Sequence, residues 1–277
     1  MPNLLTLREF GLFACVLFCA TSAHAQLLTS AQGAESWMLG GASSALTNLW
    51  SVTNNPAGMS ALQATQVGLY TEQRYTQSEL KMASVAVVKP FKALSAGAAI
   101  SYYGFPSFNQ QRYTLGLSKS LGKNIRLGVQ GQYMGTFIRD YGSAGNWVLG
   151  IGFQVKPIRN IILGVVVFNP TRATYGQQTT ERIPTYARLG CNYQVSDKVK
   201  IVLEADQPLE RQLTWRGGIQ YRLNEVLYLA LGAATKPTYY TFGVGLNLRK
   251  VELEFASSMH EVLGFTPHVG VSIPVQK

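Results

Sequence analysis

Between Ile125 and Phe137 the side chains alternate in character. Ile125, Leu127, Val129, Tyr133 and Phe137 are apolar, whereas Arg126, Gln130, Gln132 and Thr136 are polar. A period of two is the repeat of a β-strand, whose successive side chains point to opposite faces. The split recurs as Leu213, Trp215, Ile219 and Tyr221 against Gln212, Arg216 and Gln220. It recurs again as Leu189, Cys191, Tyr193 and Val195 against Tyr186, Arg188, Asn192 and Gln194, and as Val251, Leu253 and Phe255 against Glu252 and Glu254. Each such segment is a wall with one dry face and one wet face.

A soluble β-sandwich also alternates, but it exposes a strongly charged face. Here the polar face is largely Gly, Ser, Gln and Asn, and only 14% of residues are charged while 47% are hydrophobic. Soluble domains carry about a quarter charged residues. The expected fold is therefore all-β, a transmembrane antiparallel up-and-down β-barrel, apolar toward lipid and polar toward its lumen. Lumen-lining positions are Arg126, Gln130, Gln132, Arg188, Asn192, Arg216, Gln220, Glu252 and Glu254, joined by the apolar Met134, Val148, Ile162, Val166 and Phe168. An interior that is partly apolar suits a passage for hydrophobic molecules, and equally suits contact with an apolar plug.

A repeated turn phrase supports the meander. SLGKNIRLGV, VKPIRNIILGV, YQVSDKVKIVL, YRLNEVLYLAL and LNLRKVELEF each read strand, short polar turn, strand. Between them lie longer connections near Arg74, Phe105 to Gln110, Asp140 to Gly145, Asn169 to Pro184, Asp206 to Arg211, Thr235 to Thr238 and Ser257 to Thr266. Short turns alternating with longer loops match the two ends of an outer-membrane barrel. The segments number about fourteen, from near Gln66 to Gln73 through Pro267 to Val275. Aromatic residues near strand ends, among them Tyr102, Tyr103, Tyr113, Tyr133, Tyr141, Trp147, Tyr193, Tyr221, Tyr239 and Tyr240, are read as interfacial girdles.

The N-terminus has the form of a secretory signal: Arg8, an apolar run from Phe10 to Ala20, then Ala23-His24-Ala25. The predicted organisation is a cleaved signal peptide over residues 1–25, a hatch over 26–62 and the barrel over 63–277, placing the protein integrally in a bacterial outer membrane. Cleavage removes Cys15 and Cys19, so Cys191 has no partner for an intramolecular disulfide. The net charge of +10 is spread over turns and alternate strand positions rather than gathered into a patch. It fits contact with outer-membrane lipid and lipopolysaccharide phosphates and argues against nucleic acid as a partner.

No catalytic, phosphate-binding or dinucleotide motif is present, and neither enzymatic activity nor a cofactor is expected. Ser257-Ser258-Met259-His260-Glu261 is the one constellation with nucleophile, base and acid together, and neighbours in sequence seldom build a triad. Glu204 and Asp206, near Glu210, are read as partners for Arg188 and Arg216 on the adjoining strands, with no metal assigned.

The remaining stretch, Leu39 to Met59, has no sustained period. Gly40-Gly41-Ala42 followed by Asn54-Asn55-Pro56-Ala57-Gly58-Met59 resembles the hatch signature of the FadL-type outer-membrane transporter superfamily. It is most similar to the shorter Bacteroidetes PorV- and PorQ-like barrels, as are the later phrases DYGSAG and GVVVFNPTRA. The resemblance implies a fourteen-stranded barrel plugged from within and passive uptake of small hydrophobic compounds such as fatty acids. Gly40, Gly41, Asn54, Asn55, Pro56, Ala57 and Gly58 would form the gate, with a kink at Asn55 to Ala57 and a tight reversal at Gly58. The alternative it implies is a non-transporting accessory barrel whose partners are proteins of a type IX secretion or surface-attachment system. The outer loops read as short compared with those of the larger transporters, so an apolar outer groove is not expected.

Overall fold

The computed structural model describes residues 30–176 and 182–275; the predicted signal peptide and residues 26–29 lie outside the described residues. The strands are β1 (Thr65–Gln73), β2 (Lys81–Pro90), β3 (Ser95–Phe105), β4 (Phe108–Leu121), β5 (Ile125–Ile138), β6 (Gly142–Ile158) and β7 (Ile161–Phe168). They continue as β8 (Tyr186–Gln194), β9 (Val199–Pro208), β10 (Thr214–Arg222), β11 (Leu227–Thr235), β12 (Thr238–Leu248), β13 (Val251–His260) and β14 (Gly264–Val275). Each pairs antiparallel with its neighbours in sequence, and β1 pairs with β14 from Thr65↔Val275 to Glu72↔His268. The result is a closed barrel of fourteen strands, as the alternation predicts. Closure leaves no unpaired edge, which is what allows a sheet to sit in hydrocarbon.

The faces sort as expected. Along β5 the even positions from Gly128 to Met134 are buried inside, while Ile125, Leu127 and Val129 lie outside. Leu115 and Leu231 are 61% and 62% exposed on the outer surface, an arrangement that only a lipid surround makes favourable. Tyr113, Tyr133 and Trp147 occupy paired positions on β4, β5 and β6, with ring centroids 6.3 and 5.7 Å apart, and form one arc of an aromatic girdle. Tyr103 and Tyr239 do not belong to a girdle. Both fall on inward positions and are buried in the lumen.

The tight turns are where the sequence places them, all at the barrel end that carries the start of β1 and the end of β14. The longer connections are mostly not found. Phe105 pairs with Phe108, Ile138 with Gly142, Thr235 with Thr238 and His260 with Gly264, so these turns are as tight as those opposite. Fourteen residues in β4 and in β5, at about 3.3 Å each and tilted by about 40°, rise about 35 Å against an apolar band of about 25 Å. Beyond the membrane a strand can be polar on both faces, which is why its ends read as loop. Among the described residues, the longer connections are those joining β1 to β2, β7 to β8 and β9 to β10.

The segment from residue 30 to 62 lies inside the lumen. It contains helix α1 (Ala34–Met38), helix α2 (Ser51–Asn54) and a 3-10 helix at Pro56–Ala61. Met38, Leu39, Leu46, Leu49, Trp50, Val52 and Met59 are almost wholly buried and form one core with inward residues of the wall such as Met82, Met134, Val148, Val166 and Phe168. Tyr175 and Ile183, from the connection between β7 and β8, join this core.

Candidate functional site

The inner wall meets the hatch through glycine. Gly68, Gly97, Gly116, Gly128, Gly152, Gly164, Gly190, Gly218, Gly232, Gly243 and Gly270, from eleven different strands, each lie against hatch atoms. A Cβ at Gly218 would stand 2.7 Å from Leu39 Cα, and one at Gly97 would stand 2.7 Å from Met59 Sδ. The belt admits the hatch backbone to a lumen that side chains would otherwise fill.

Polar contacts fix the hatch within this belt. Helix α1 stops at Gly40 and Gly41, both left-handed with φ of 70° and 78°, and the Gly41 N–H donates back to Ser36 O at 2.8 Å. Glycine adopts this helix-ending conformation without the Cβ penalty of other residues. The turn is held to β12: Gly40 N–H donates to Thr241 Oγ1 at 3.1 Å, and Tyr239 donates its hydroxyl to Gly40 O at 3.0 Å. Next along the chain, Ser43 N–H and Ser44 N–H both donate to Glu204 Oε2 on β9, at 2.8 and 2.7 Å.

The Asn-Pro phrase closes the hatch on itself. Asn54 Oδ1 accepts from Gln32 N–H at 2.9 Å, and its Nδ2 donates to Gln32 O at 2.8 Å. Gln32 in turn donates to Ser84 and Ser101 on the wall at 3.0 and 2.7 Å. Asn55 is extended (φ −149°), as a residue before proline prefers, and caps the 3-10 helix by accepting from Ala57 N–H at 3.2 Å. Its Nδ2 donates to Ser44 O at 2.6 Å, and Pro56 and Ala57 pack on Gly128. Gly58 makes no reversal. It lies within the 3-10 helix, where its lack of a side chain lets Ser51 and Leu46 O approach closely.

By strand parity the predicted lumen residues fall on inward positions, and Gln130 and Glu254 among them, with their neighbour Gln154, meet the hatch directly. Gln130, Gln132, Met134, Val148, Val166, Arg188, Gln220 and Glu254 are buried. Arg126, Ile162, Asn192, Arg216 and Glu252 are partly exposed. Glu252 and Glu254 accept from Tyr228 Oη at 3.2 and 3.1 Å. Beside them, Glu35 of α1 pairs with Lys200 Nζ at 2.5 Å and accepts from Asn48 at 2.7 Å. Burial works to raise the Glu35 carboxyl, but the Lys200 charge and the hydrogen bonds outweigh it and hold the group below the usual range.

Glu204 and Asp206 do pair with the arginines on the flanking strands. Arg216 reaches Asp206 Oδ2 at 2.7 Å and Glu204 Oε1 at 3.6 Å, while Arg188 lies 3.2 Å from Asp206 Oδ2 and 4.0 Å from Glu204 Oε1. Glu210 lies apart and exposed, 4.0 Å from Arg182. Above this network opens a pocket of about 580 Å³ at the barrel end opposite the tight turns. Its lining includes Arg188, Asp206, Arg211, Arg216 and Lys236, with Tyr186 and Pro184, Pro208 and Pro237 as its apolar part.

A second network is absent from the sequence reading. Tyr70 donates its hydroxyl to Glu72 at 2.6 Å, so His268 on β14 donates from Nδ1 to Tyr70 Oη (2.8 Å) and accepts from Ser258 at Nε2 (3.0 Å). Glu72 pairs with Arg74 at 2.7 Å, and Arg74 donates to Ser30 in the hatch at 2.9 Å. Trp37 of the hatch stacks on His268, with centroids 4.5 Å apart and planes 16° from parallel. Ser258 thus meets His268 rather than the nearby His260, whose Nδ1 accepts from the backbone of Val262 and Leu263.

Fold and site together define a transmembrane β-barrel filled by its own N-terminal segment. The toluene transporter TodX of Pseudomonas putida has the same architecture, with a TM-score of 0.69 and 14% identity over 90% of this chain and 100% of that one. A FadL homologue of Pseudomonas aeruginosa superposes with a TM-score of 0.65 at 12% identity, covering 88% of this chain and 98% of that one. The toluene transporter TbuX of Ralstonia pickettii does so with a TM-score of 0.64 at 12% identity, covering 89% and 98%. No protein-family model and no curated protein matches the sequence. At these identities the likeness establishes a shared fold.

Proposed function

We propose that this chain is a FadL-type outer-membrane channel for passive uptake of small hydrophobic compounds, gated by a hatch over residues 26–62. One observation carries the reading: the lumen is filled by a segment that adds no strand to the wall and is tied to it by separate polar contacts. Such a segment can move without breaking the barrel ladder. Gly40 and Gly41 bear on β12, Asn55 to Ala57 on β5 and β6, and Asn54 on the opposite limb of the hatch, so each part of the signature has a tether to release. Likeness of fold to transporters of toluene supports an apolar cargo, as does the mixed apolar and polar lining around the hatch.

The test is flux of toluene and of glucose into liposomes containing the wild-type chain or a variant lacking residues 40–59. Toluene flux that is low at rest, and rises with hatch removal, supports the channel. Negligible flux of both solutes with both proteins would overturn it.

The second reading is a non-transporting accessory barrel, related to PorV- and PorQ-like proteins, that binds partners of a secretion or surface-attachment system. The close fit of the hatch to the glycine belt favours it, because a plug that fits so tightly can serve as a permanent filling. Stable co-purification of a protein partner together with absent flux would select this reading.

A further inference from the structure

The net charge that reads as spread along the chain is drawn together by the fold. Each of the six tight turns has an exposed Lys or Arg in it or beside it: Lys92, Lys123, Arg159, Lys198, Arg222 and Lys250. Asp197 stands next to Lys198 and Glu225 near Arg222. The turns joining β2 to β3 and β4 to β5 have no such company, because no Asp or Glu occurs from Lys81 to Ile138. Four exposed lysines, Lys89, Lys92, Lys119 and Lys123, gather there with no carboxylate on their own strands. Short turns of outer-membrane barrels face the periplasm, so this cluster lies at the phospholipid leaflet rather than at the lipopolysaccharide one.

Two of the four belong to the lipid-facing side of the wall. Lys89 continues the outward series of Val85 and Val87 on β2, and Lys119 that of Leu115 and Leu117 on β4. One step nearer the turn stand Phe91 and Leu121, 52% and 46% exposed, with Lys89 Nζ 5.3 Å from the Phe91 ring centroid. Each ammonium thus leaves the wall on the hydrocarbon side of an apolar residue and reaches headgroup depth along its own stem. A soluble acidic protein would have to cover Phe91 and Leu121 first, whereas a lipid meets these lysines from the side. Between the two ridges runs a furrow. Strand β3 turns only Ala96 and Ala98 outward at this level, and the register sets Ala96 between Lys89 and Leu117, and Ala98 between Val87 and Leu115. Both alanines are half-buried, while Leu115 and Leu117 rise on one flank and Val87 on the other. The flanking strands are about 10 Å apart, which leaves room for one acyl chain along β3.

We infer that this furrow is a binding site for an anionic phospholipid of the inner leaflet, one acyl chain lying along Ala96 and Ala98 and the phosphate between Lys89 and Lys119. Lys92 and Lys123 add charge from the turns. An ammonium binds phosphate as a point charge, so the net charge of the headgroup, more than its shape, sets the preference. Phosphatidylglycerol keeps its negative charge, whereas phosphatidylcholine offsets it with a quaternary ammonium that the lysines repel. The bound lipid anchors the β2 to β5 side of the barrel in that leaflet. The site lies outside the wall and stands whether or not the hatch conducts.

Phosphatidylglycerol and phosphatidylcholine with the same acyl chains are the probes, titrated into the purified full chain in a non-ionic detergent and counted by native mass spectrometry. The expected result is a phosphatidylglycerol Kd at least about tenfold below that of phosphatidylcholine, a gap corresponding to about 1.4 kcal/mol. In Lys89→Ser/Lys119→Ser the two lipids should bind within about threefold of each other. Ala96→Leu fills the furrow, keeps all four lysines and should weaken both lipids. Lys81→Ser/Arg139→Ser removes as much charge from exposed positions at the other end of the barrel and should leave the preference as in the wild type.

Equal affinities in the wild-type chain would overturn the site. An equal loss of preference in Lys81→Ser/Arg139→Ser would reduce it to net charge, and unchanged binding in Ala96→Leu would overturn the furrow. Displacement of bound phosphatidylglycerol by an equal concentration of glycerol 3-phosphate or of a polyglutamate peptide would show that an anion alone suffices, against a lipid as the occupant. The wild-type comparison decides the selectivity even where a variant fails to show the heat-resistant gel migration of a folded barrel.

Discussion

Ser44 donates its backbone N–H to Glu204 Oε2 across 2.7 Å, joining the middle of the hatch to the middle of β9. The adjacent Ser43 N–H shares the same oxygen. Removing the carboxylate strands two buried donors, at about 1–3 kcal/mol each, and leaves Arg216 with Asp206 alone. In a Cys191→Ser background carrying Ser44→Cys as a reporter, Glu204→Ala should raise maleimide labelling of the reporter by about tenfold or more, each 1.4 kcal/mol being about tenfold. An unchanged labelling rate would show that Glu204 is no tether.

The glycine belt predicts a different defect. In Gly190→Val the new side chain meets Ser44 and Ala45 of the hatch, an overpacking that costs about 1–3 kcal/mol. Because the wall hydrogen bonds are untouched, the barrel should keep its heat-resistant migration while limited proteolysis cuts the hatch. Mass spectrometry of the fragments checks this; cuts confined to barrel loops would contradict it.

Covalent locking tests movement directly. A side chain added at Gly190 would contact Ser44 Oγ, so Ser44→Cys with Gly190→Cys, again over Cys191→Ser, should form a disulfide. If the hatch gates flux, the oxidised protein should lose toluene uptake and recover it on reduction. Full uptake in the oxidised state would show that the hatch need not move at this point.

Acid should loosen α1. The folded Glu35 carboxyl lies below its usual range, so its contribution is present above that range and is lost as pH falls through and below it. Hatch exposure, read by Trp37 quenching, should rise on acidification toward about pH 4. Glu35→Gln should show the exposed level already at neutral pH and a flatter profile. A response identical to wild type would place the acid sensitivity elsewhere.

The wall was legible because alternation is a local signal: Ile125 to Phe137 carries its own assignment of faces, and the structure keeps it. The Arg188, Glu204, Asp206 and Arg216 network was legible for a related reason, since its members sit on three consecutive strands. His268 was not, because Tyr70 and Glu72 become its neighbours only when β14 closes on β1, a contact across nearly the whole chain. The inward glycines escaped for another cause. Glycine was read as part of the polar face, but Gly128, Gly152 and Gly164 carry no group that says what they face, so their seating of the luminal segment was not read. Their signal was parity, since each holds the position that its strand elsewhere gives to the lumen. Extra loop length was predicted at Asp140 to Gly145 because polar, glycine-containing residues look alike in a loop and in a ladder standing in water.

A wall bared to its backbone at eleven strands is also a smooth bore. Side chains that interdigitate act as cogs, and displacing one set past another forces every cog to ride over its neighbour. At this belt the barrel offers none, so resistance to sliding or turning falls on the apolar contacts beside it and on discrete pins, among them Thr241 and Tyr239 at Gly40, Glu204 at Ser43 and Ser44, Gln154 at Ser44 and Leu46, and Ser84 and Ser101 at Gln32. Friction in such a bearing is quantised, and the work of moving its piston grows pin by pin rather than with distance travelled.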